Sequence, residues 1–235
     1  MAFHYSPKIV TDGLVFLLDA GNPKSYPGTG TAISDLSGNN TNGVLTNGPT
    51  FDNSNNGSIA FDGLDDFIEM GQIESTNPLS LYGIDNFSID VWVNAKGTGD
   101  GYQRIIDKSS AGSATGGWGL FFGSTASTNA ILFYVAGGAI ISTTQTGITE
   151  FNKWVHYTIT KNLTSFKLYK DGNLKVTTTS SRVIPSTLCG CRIGSWNHST
   201  ARELSGNVSM ARVYHKTLTA TEILQNYNAT KTRFI

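Results

Sequence analysis

Residues 86–95 read NFSIDVWVNA, and the alternation in this stretch decides the fold class. Phe87, Ile89, Val91 and Val93 share one face of an extended chain, and Ser88, Asp90 and Trp92 share the other, because successive side chains of a strand point to opposite sides. A helix would scatter the same apolar residues around its circumference. The period of two recurs in KWVHYTIT (153–160), which sets Val155, Tyr157 and Ile159 against Trp154, His156 and Thr158. It returns in NVSMARVYHKTL (207–218). SFKLYKDGNLKVTTT (165–179) reads as a hairpin, since Asp171-Gly172 supplies the positive φ that a tight turn requires. Shorter strand-like runs are GLVFLLDAG (13–21), SIAFDG (58–63) and DFIEMG (66–71). ISDLSGNNTNG (33–43) is a loop by composition, closing near the turn signal Asn42-Gly43.

A single helix is legible. Thr219 and Glu222 have the spacing of a capping box, in which each side chain satisfies the other's free backbone donor. Ile223, Leu224 and Tyr227 then form a short apolar stripe that ends before NATKTRFI (228–235). Strands with turn signals every eight to twelve residues or so, and one helix, predict a single all-β sandwich or jelly roll. A chain of 235 residues suits one such domain.

The net charge is zero and charged residues make up 14% of the chain. No electrostatic footprint for nucleic acid follows from that balance. The only two cysteines, Cys189 and Cys191, are too close for an unstrained bridge and are expected as thiols. The opening MAFHYSPKIVTDGLVFLLDAG has no basic leader, and its apolar run is too short for a signal core or a membrane span. Synthesis for the cytoplasm, or exit by another route, is the expectation. Sequons such as those at Asn86 and Asn162 carry no weight without a secretion signal.

Four segments, SIAFDGLDDFIEM (58–70), NFSIDVWVNA (86–95), FNKWVHYTIT with FKLYKDGNL (151–174), and CRIGSWN with LSGNVSMARVYHKTLTATEILQNYNA (191–229), resemble in order and spacing the laminin-G-like branch of the concanavalin-A-like lectin/glucanase superfamily. The resemblance implies an antiparallel two-sheet jelly-roll sandwich over residues 10–228 with one short C-terminal helix. An N-terminal arm (1–9) and a C-terminal tail (229–235) flank it. The opening DGLVFLLDAGNPKSYPGTG and the closing LQNYNATKTRF look like laminin-G-like domains of tailed bacteriophages. That likeness implies a non-catalytic virion surface protein, a capsid-decorating or fibre-type module, binding other virion proteins, forming a homo-oligomer such as a trimer, and reaching host glycans. Both termini are then the expected docking arms. A free lectin or adhesin is the alternative, and a divergent glycoside hydrolase a remote one.

Glucanases on this fold need clustered carboxylates at alternating positions. Glu69 and Glu74 flank a glycine, Glu150, Glu203 and Glu222 are isolated, and the adjacent Asp65 and Asp66 would point to opposite faces of a strand, so no enzyme is expected. No cofactor is expected beyond a structural Ca²⁺, which relatives in the superfamily hold with carboxylates. The oxygen-rich candidates are Asp35, Asp62, Asp65 and Asp66, although Ser209 and Met210 stand where relatives often carry an acidic pair. Trp92, Trp118 and Trp154 are expected to pack. Trp196 sits in the loop GSWNHSTARE (194–203), and with Asn197, His198 and Arg202 it is the leading glycan- or partner-binding candidate. Tyr102, Gln103 and Arg104, after GTGDG, are a second.

Overall fold

A computed structural model describes residues 8–70, 77–97, 101–110, 116–125, 128–135, 138–143, 148–197 and 202–235. The first sheet contains β1 (Leu14–Asp19), β4 (Thr50–Asp52), β5 (Ser58–Asp62), β7 (Asn86–Ala95), β12 (Val155–Asn162), β13 (Ser165–Lys170), β14 (Asn173–Thr179) and β16 (Ser205–Tyr214). The second contains β2 (Ala32–Ile33), β3 (Gly43–Thr46), β6 (Phe67–Met70), β8 (Arg104–Ser109), β9 (Gly117–Thr125), β10 (Thr128–Val135), β11 (Gly138–Thr143) and β15 (Cys191–Ile193). One helix, α1 (Ala220–Thr230), follows β16.

The first sheet runs β14-β13-β12-β7-β16-β5-β4, with β1 also on β16, and the second runs β11-β10-β9-β8-β15-β6-β3-β2. Every pairing is antiparallel, in the manner of a jelly roll. β16 is long enough to serve two neighbours on one edge. Its first half pairs with β5 (Val208 against Ile59) and its second half with β1 (Val213 against Phe16).

The faces follow the alternation. Phe87, Ile89, Val91 and Val93 of β7 meet Trp118, Leu120 and Phe122 of β9 and Ile131 and Phe133 of β10 in one core. Phe87 and Phe133 bridge the sheets with ring centroids 6.0 Å apart. The hairpin turn has φ of 51° at Asp171 and 77° at Gly172, both left-handed as the paired strands require. Gly43 is a strand residue rather than part of a turn. The positive-φ residues of that loop are Gly38 and Asn40, and the Asn42 side chain accepts the Asp35 N–H at 2.9 Å.

The other face of the first sheet is buried as well, which the polar residues at 88 and 90 did not announce. α1 lies over it, started by the reciprocal cap: Thr219 Oγ1 accepts the Glu222 N–H at 3.2 Å, and Glu222 Oε2 accepts the Thr219 N–H at 2.8 Å. The helix outlasts its expected end, because Thr230 caps the Trp92 indole N–H at 2.8 Å and belongs to the packed surface. The C-terminal tail, expected as a free arm, is likewise docked on its own domain. The Phe234 ring stacks 4.3 Å from Trp92 and lies 4.8 Å from Trp154, while Arg233 pairs with Asp19 at 2.8 Å. A phenyl ring that loses water on both sides gains more by packing than a free tail gains in entropy. Of the N-terminal arm, residues 1–7 lie outside the described residues; Ile9 packs beside Trp92, and the Lys8 carbonyl accepts from Gln225 at 2.7 Å.

Beneath α1 sits a sealed polar cluster. Asp90 Oδ1 accepts from Arg212 Nε at 2.8 Å and lies 3.0 Å from His156 Nε2, all three side chains being wholly buried. Burial alone would raise the Asp90 carboxyl, but Arg212 and His156 hold it well below the usual carboxylate range. Asn226 of α1 completes the cluster, accepting from the Val10 N–H at 2.8 Å and donating to Tyr214 Oη at 3.0 Å. An aspartate, a histidine and an arginine in contact suggest chemistry, yet they face no cleft. The cluster fastens the helix to the sheet.

Candidate functional site

The open surface is the outer face of the second sheet. β8 carries an irregularity between Arg104 and Ile106 that sends both Ile105 and Ile106 into the core and leaves Arg104 on the outer side, opposite Phe121 of β9. On β10, Leu132 and Tyr134 share that outer side, since Ile131, Phe133 and Val135 point inward. These side chains floor a cleft of about 430 Å³, walled by Tyr102, Trp196 and Arg202 from two loops.

Trp196 is half-buried, its indole N–H donating to Ser109 Oγ at 2.9 Å. The Arg202 guanidinium lies 4.2 Å from the centre of the Trp196 ring and 5.3 Å from that of Tyr102. Such cation–π contacts contribute on the order of 0.5–1 kcal/mol each at exposed positions. Arg202 has φ of 128°, a backbone setting that side-chain-bearing residues rarely adopt; a strained residue of this kind costs about 1–3 kcal/mol and persists only where its surroundings enforce it. Here the enforcing bond is Arg104 N–H to the Arg202 carbonyl at 3.0 Å. Arg104 itself is buried, its guanidinium 3.7 Å over the Phe121 ring and 3.3 Å from Asp107.

Asp107 lies behind the cleft, wholly buried. Its Oδ1 accepts from the Ser109 N–H at 2.9 Å and from Ser109 Oγ at 2.6 Å, so it orients the hydroxyl that holds Trp196. Burial pushes this carboxyl up, with Arg104 and the Ser109 bonds opposing the rise. Gly119 makes room for it: a Cβ there would stand 2.2 Å from Asp107 Oδ2.

The two segments singled out by sequence therefore converge. Tyr102, Arg104, Trp196 and Arg202 line one cleft. Gln103 and Asn197 do not line it: Gln103 Oε1 accepts the Ser205 N–H at 3.0 Å, and Asn197 Nδ2 donates to the Gly190 carbonyl at 2.7 Å. Both fasten its loops. His198 lies outside the described residues. Sequence reasoning missed Phe121 and Tyr134. The phase of GGWGLFFG held the signal, because Trp118 facing the core puts Phe121, three residues on, outside.

The carboxylates separate in the same way. Asp62, Asp65 and Asp66 bring an oxygen each within 4.8 Å of one another. Burial raises the Asp66 carboxyl, and its two acidic neighbours add to that rise. Donor type and mutual repulsion both fit a hard cation. Asp35 is not among them. Its oxygens take the N–H groups of Leu17, Ser37 and Thr41 and the Ser37 hydroxyl at 2.7–3.1 Å, a full complement that makes it a turn anchor. Ser209, where relatives often carry an acid, donates to the Gly57 carbonyl and accepts from Arg233, and Met210 packs near Trp92. Cys189 and Cys191 are free thiols, and burial pushes both up and away from reactivity.

A family model described as the concanavalin A-like lectin/glucanases superfamily, Laminin_G_3, matches residues 69–224. Among solved structures, the chain is similar to domain 4 of AbnA, a GH43 extracellular arabinanase from Geobacillus stearothermophilus in complex with arabinotriose. The TM-score is 0.68 at 13% identity, covering 91% of this chain and 98% of that one. It is similar to the binding domain of Paraclostridial Mosquitocidal Protein 1, with a TM-score of 0.69 at 18% identity, 93% of this chain and 52% of that one. It is similar also to Trypanosoma rangeli sialidase, with a TM-score of 0.70 at 16% identity, 100% of this chain and 36% of that one. The chain thus spans the whole arabinanase domain but about half and about a third of the other two. At these identities the likeness is one of fold. No curated protein matches the chain. Among the described residues, no helix is long and apolar enough to cross a membrane.

Proposed function

The chain belongs to the concanavalin A-like lectin/glucanase superfamily, and from that premise we propose that it is a non-catalytic carbohydrate-binding module that reads sugars in the Trp196 cleft. The observation that carries this is the fixed indole at the cleft mouth, anchored by Ser109 and flanked by Tyr102 and Arg202. An anchored aromatic ring in the lining offers the C–H side of a pyranose an apolar partner, and neighbouring polar groups orient its hydroxyls. The cleft volume of about 430 Å³ suits a di- or trisaccharide end. The complex of the arabinanase domain with arabinotriose supports a sugar ligand for this fold.

Binding without cleavage is the reading that the lining favours. Glycoside hydrolysis needs two carboxyl groups about 5–9.5 Å apart across the scissile bond. None of the described lining residues is acidic, and Asp107 is committed to Ser109 and Arg104 behind the wall. The setting we propose is the surface of a phage particle, in a homo-oligomer such as a trimer. The phage-like opening and closing segments support it. Asp62, Asp65 and Asp66 would hold a Ca²⁺ that neutralises their repulsion and stiffens the β5–β6 turn.

A glycan array read with wild type and with Trp196→Ala tests the function. Wild type binds a defined set of glycans, and Trp196→Ala loses that set while keeping its melting temperature. A blank array, or release of reducing sugar by the pure protein, contradicts the proposal.

A further inference from the structure

We infer that the cleft selects an anionic sugar, one carrying a carboxylate, and that Arg202 is the residue that reads it. The inference rests on the sugar-binding reading above and narrows it to a ligand class. The first argument is charge. Arg104 and Arg202 line the cleft, no acidic residue lies among its described lining, and the whole chain is neutral. The positive character is therefore local to this cleft. Asp107 is too deeply buried to meet a ligand, and its charge is turned toward Arg104 at 3.3 Å.

The second argument is hydrogen-bonding type. Neutral sugars present hydroxyls that both donate and accept, so a neutral-sugar site provides acceptors as well as donors. An arginine guanidinium only donates. The remaining polar side chains of the described lining, Tyr102, Tyr134, Ser109 and Ser110, are hydroxyls, and the Ser109 hydroxyl is already engaged by Trp196 and Asp107. Hydroxyls serve either way, so it is the guanidinium that tips the set toward donors, and a planar carboxylate fits its fork through two parallel bonds.

The third argument is placement. Arg104 is buried, whereas Arg202 is half-exposed and makes no ion pair among the described residues. Its guanidinium carbon lies over the Trp196 ring, 4.2 Å from the centroid, on a backbone held at φ 128°. A guanidinium attracted to a ring through its carbon still has N–H groups to offer an acceptor beside the ring. A sugar stacked beside that indole brings a ring carboxylate to the Arg202 edge, and the apolar wall of Phe121 and Leu132 strengthens the attraction.

The test is titration calorimetry of the full chain with four probes: 3′-sialyllactose, a glucuronate-terminated disaccharide, a sulfated disaccharide, and lactose. At least one carboxylated probe is expected to bind ten-fold or more tightly than lactose, and more weakly as salt is raised. Arg202→Gln collapses that preference toward one, and Arg202→Lys restores part of it, while melting curves of both variants show the fold intact. Equal affinity for lactose and the carboxylated probes, or tight binding of the sulfated probe alone, overturns the inference and leaves the sugar-binding reading standing. If no probe binds and the glycan array is blank, both fall together.

Discussion

The two sheets carry similar residues on their outer faces and use them in opposite ways. On the first sheet, Trp92 and Asp90 lie under α1 and the C-terminal tail. On the second, Trp196 lines an open cleft and Asp107 lies buried behind it. Each tryptophan donates its indole N–H to a hydroxyl, Trp92 to Thr230 at 2.8 Å and Trp196 to Ser109 at 2.9 Å. What differs is what lies over the ring. Phe234 and Tyr227 stack on Trp92, whereas the guanidinium groups of Arg202 and Arg104 lie over Trp196. The aspartates differ in the same sense. Asp90 touches two cationic or protonatable partners and is pulled down, while Asp107 touches mainly neutral donors and is pushed up by burial. A residue's role thus follows from what the rest of the chain places over it.

The largest effect is expected on the covered face. Arg212→Leu strands the Asp90 carboxylate in a dry interior, and removing one partner of a buried pair costs about 3–5 kcal/mol. Urea denaturation will show that loss, while the folded fraction keeps its glycan profile. Trp92→Ala is expected to cost a similar ~3–5 kcal/mol as a buried aromatic truncation. The mirror change, Trp196→Ala, is expected to cost under about 1 kcal/mol of stability and to weaken sugar binding at least ten-fold. If the two tryptophan variants destabilise equally, the contrast between the faces fails.

Next comes the tail. Phe234→Ala is expected to cost about 2 kcal/mol, the order of burying one large apolar side chain. An unchanged denaturation midpoint would return the tail to the role of a free arm.

Acid titration separates the aspartates. Asp90 is held low in the fold, so its favourable contribution is complete above the unfolded-state value of about 3.9 and is lost as pH falls through that region. Asp107 is raised, so its ionised form costs stability above its folded value, and that cost vanishes as pH falls toward about 3.9. The stability difference between wild type and Asp90→Asn is therefore expected to shrink with acidification. The difference between wild type and Asp107→Asn is expected to move in favour of wild type. Parallel slopes would show that the two sites share one environment.

The smallest effect concerns the acidic trio. Calcium is expected to raise the melting temperature by a few degrees over chelator, about 1 kcal/mol for a domain of this size, and Asp66→Asn removes the difference. Light scattering in the same samples reports the oligomer.

Much of the fold was legible because the alternation at residues 86–95 and 153–160 admits only one extended reading. The cap at Thr219 and the Asp171-Gly172 turn were legible because their chemistry is local. The fate of the second face was not. Nothing local in Ser88 and Asp90 shows what covers their face, because the segment that does so, around Leu218 and α1, comes from 130 or so residues away. The cleft was half legible. Trp196 and Tyr102 stood out because they are aromatics among turn residues, but their meeting depends on the β8–β15 pairing, which no local pattern encodes. Phe121 hid in an apolar run whose inward and outward members look alike.

The most direct test of the sugar-reading cleft uses the four indole N–H groups, one for each tryptophan in the chain. Trp92 bonds Thr230, Trp118 the Leu79 carbonyl, Trp154 Asn55 and Trp196 Ser109, so each reports a different place. Nitrogen-15 NMR spectra recorded while the best array glycan is titrated in are predicted to move the Trp196 indole signal and leave the other three in place. A still Trp196 signal, with Trp92 or Trp154 moving instead, would put the sugar on the covered face and contradict the account.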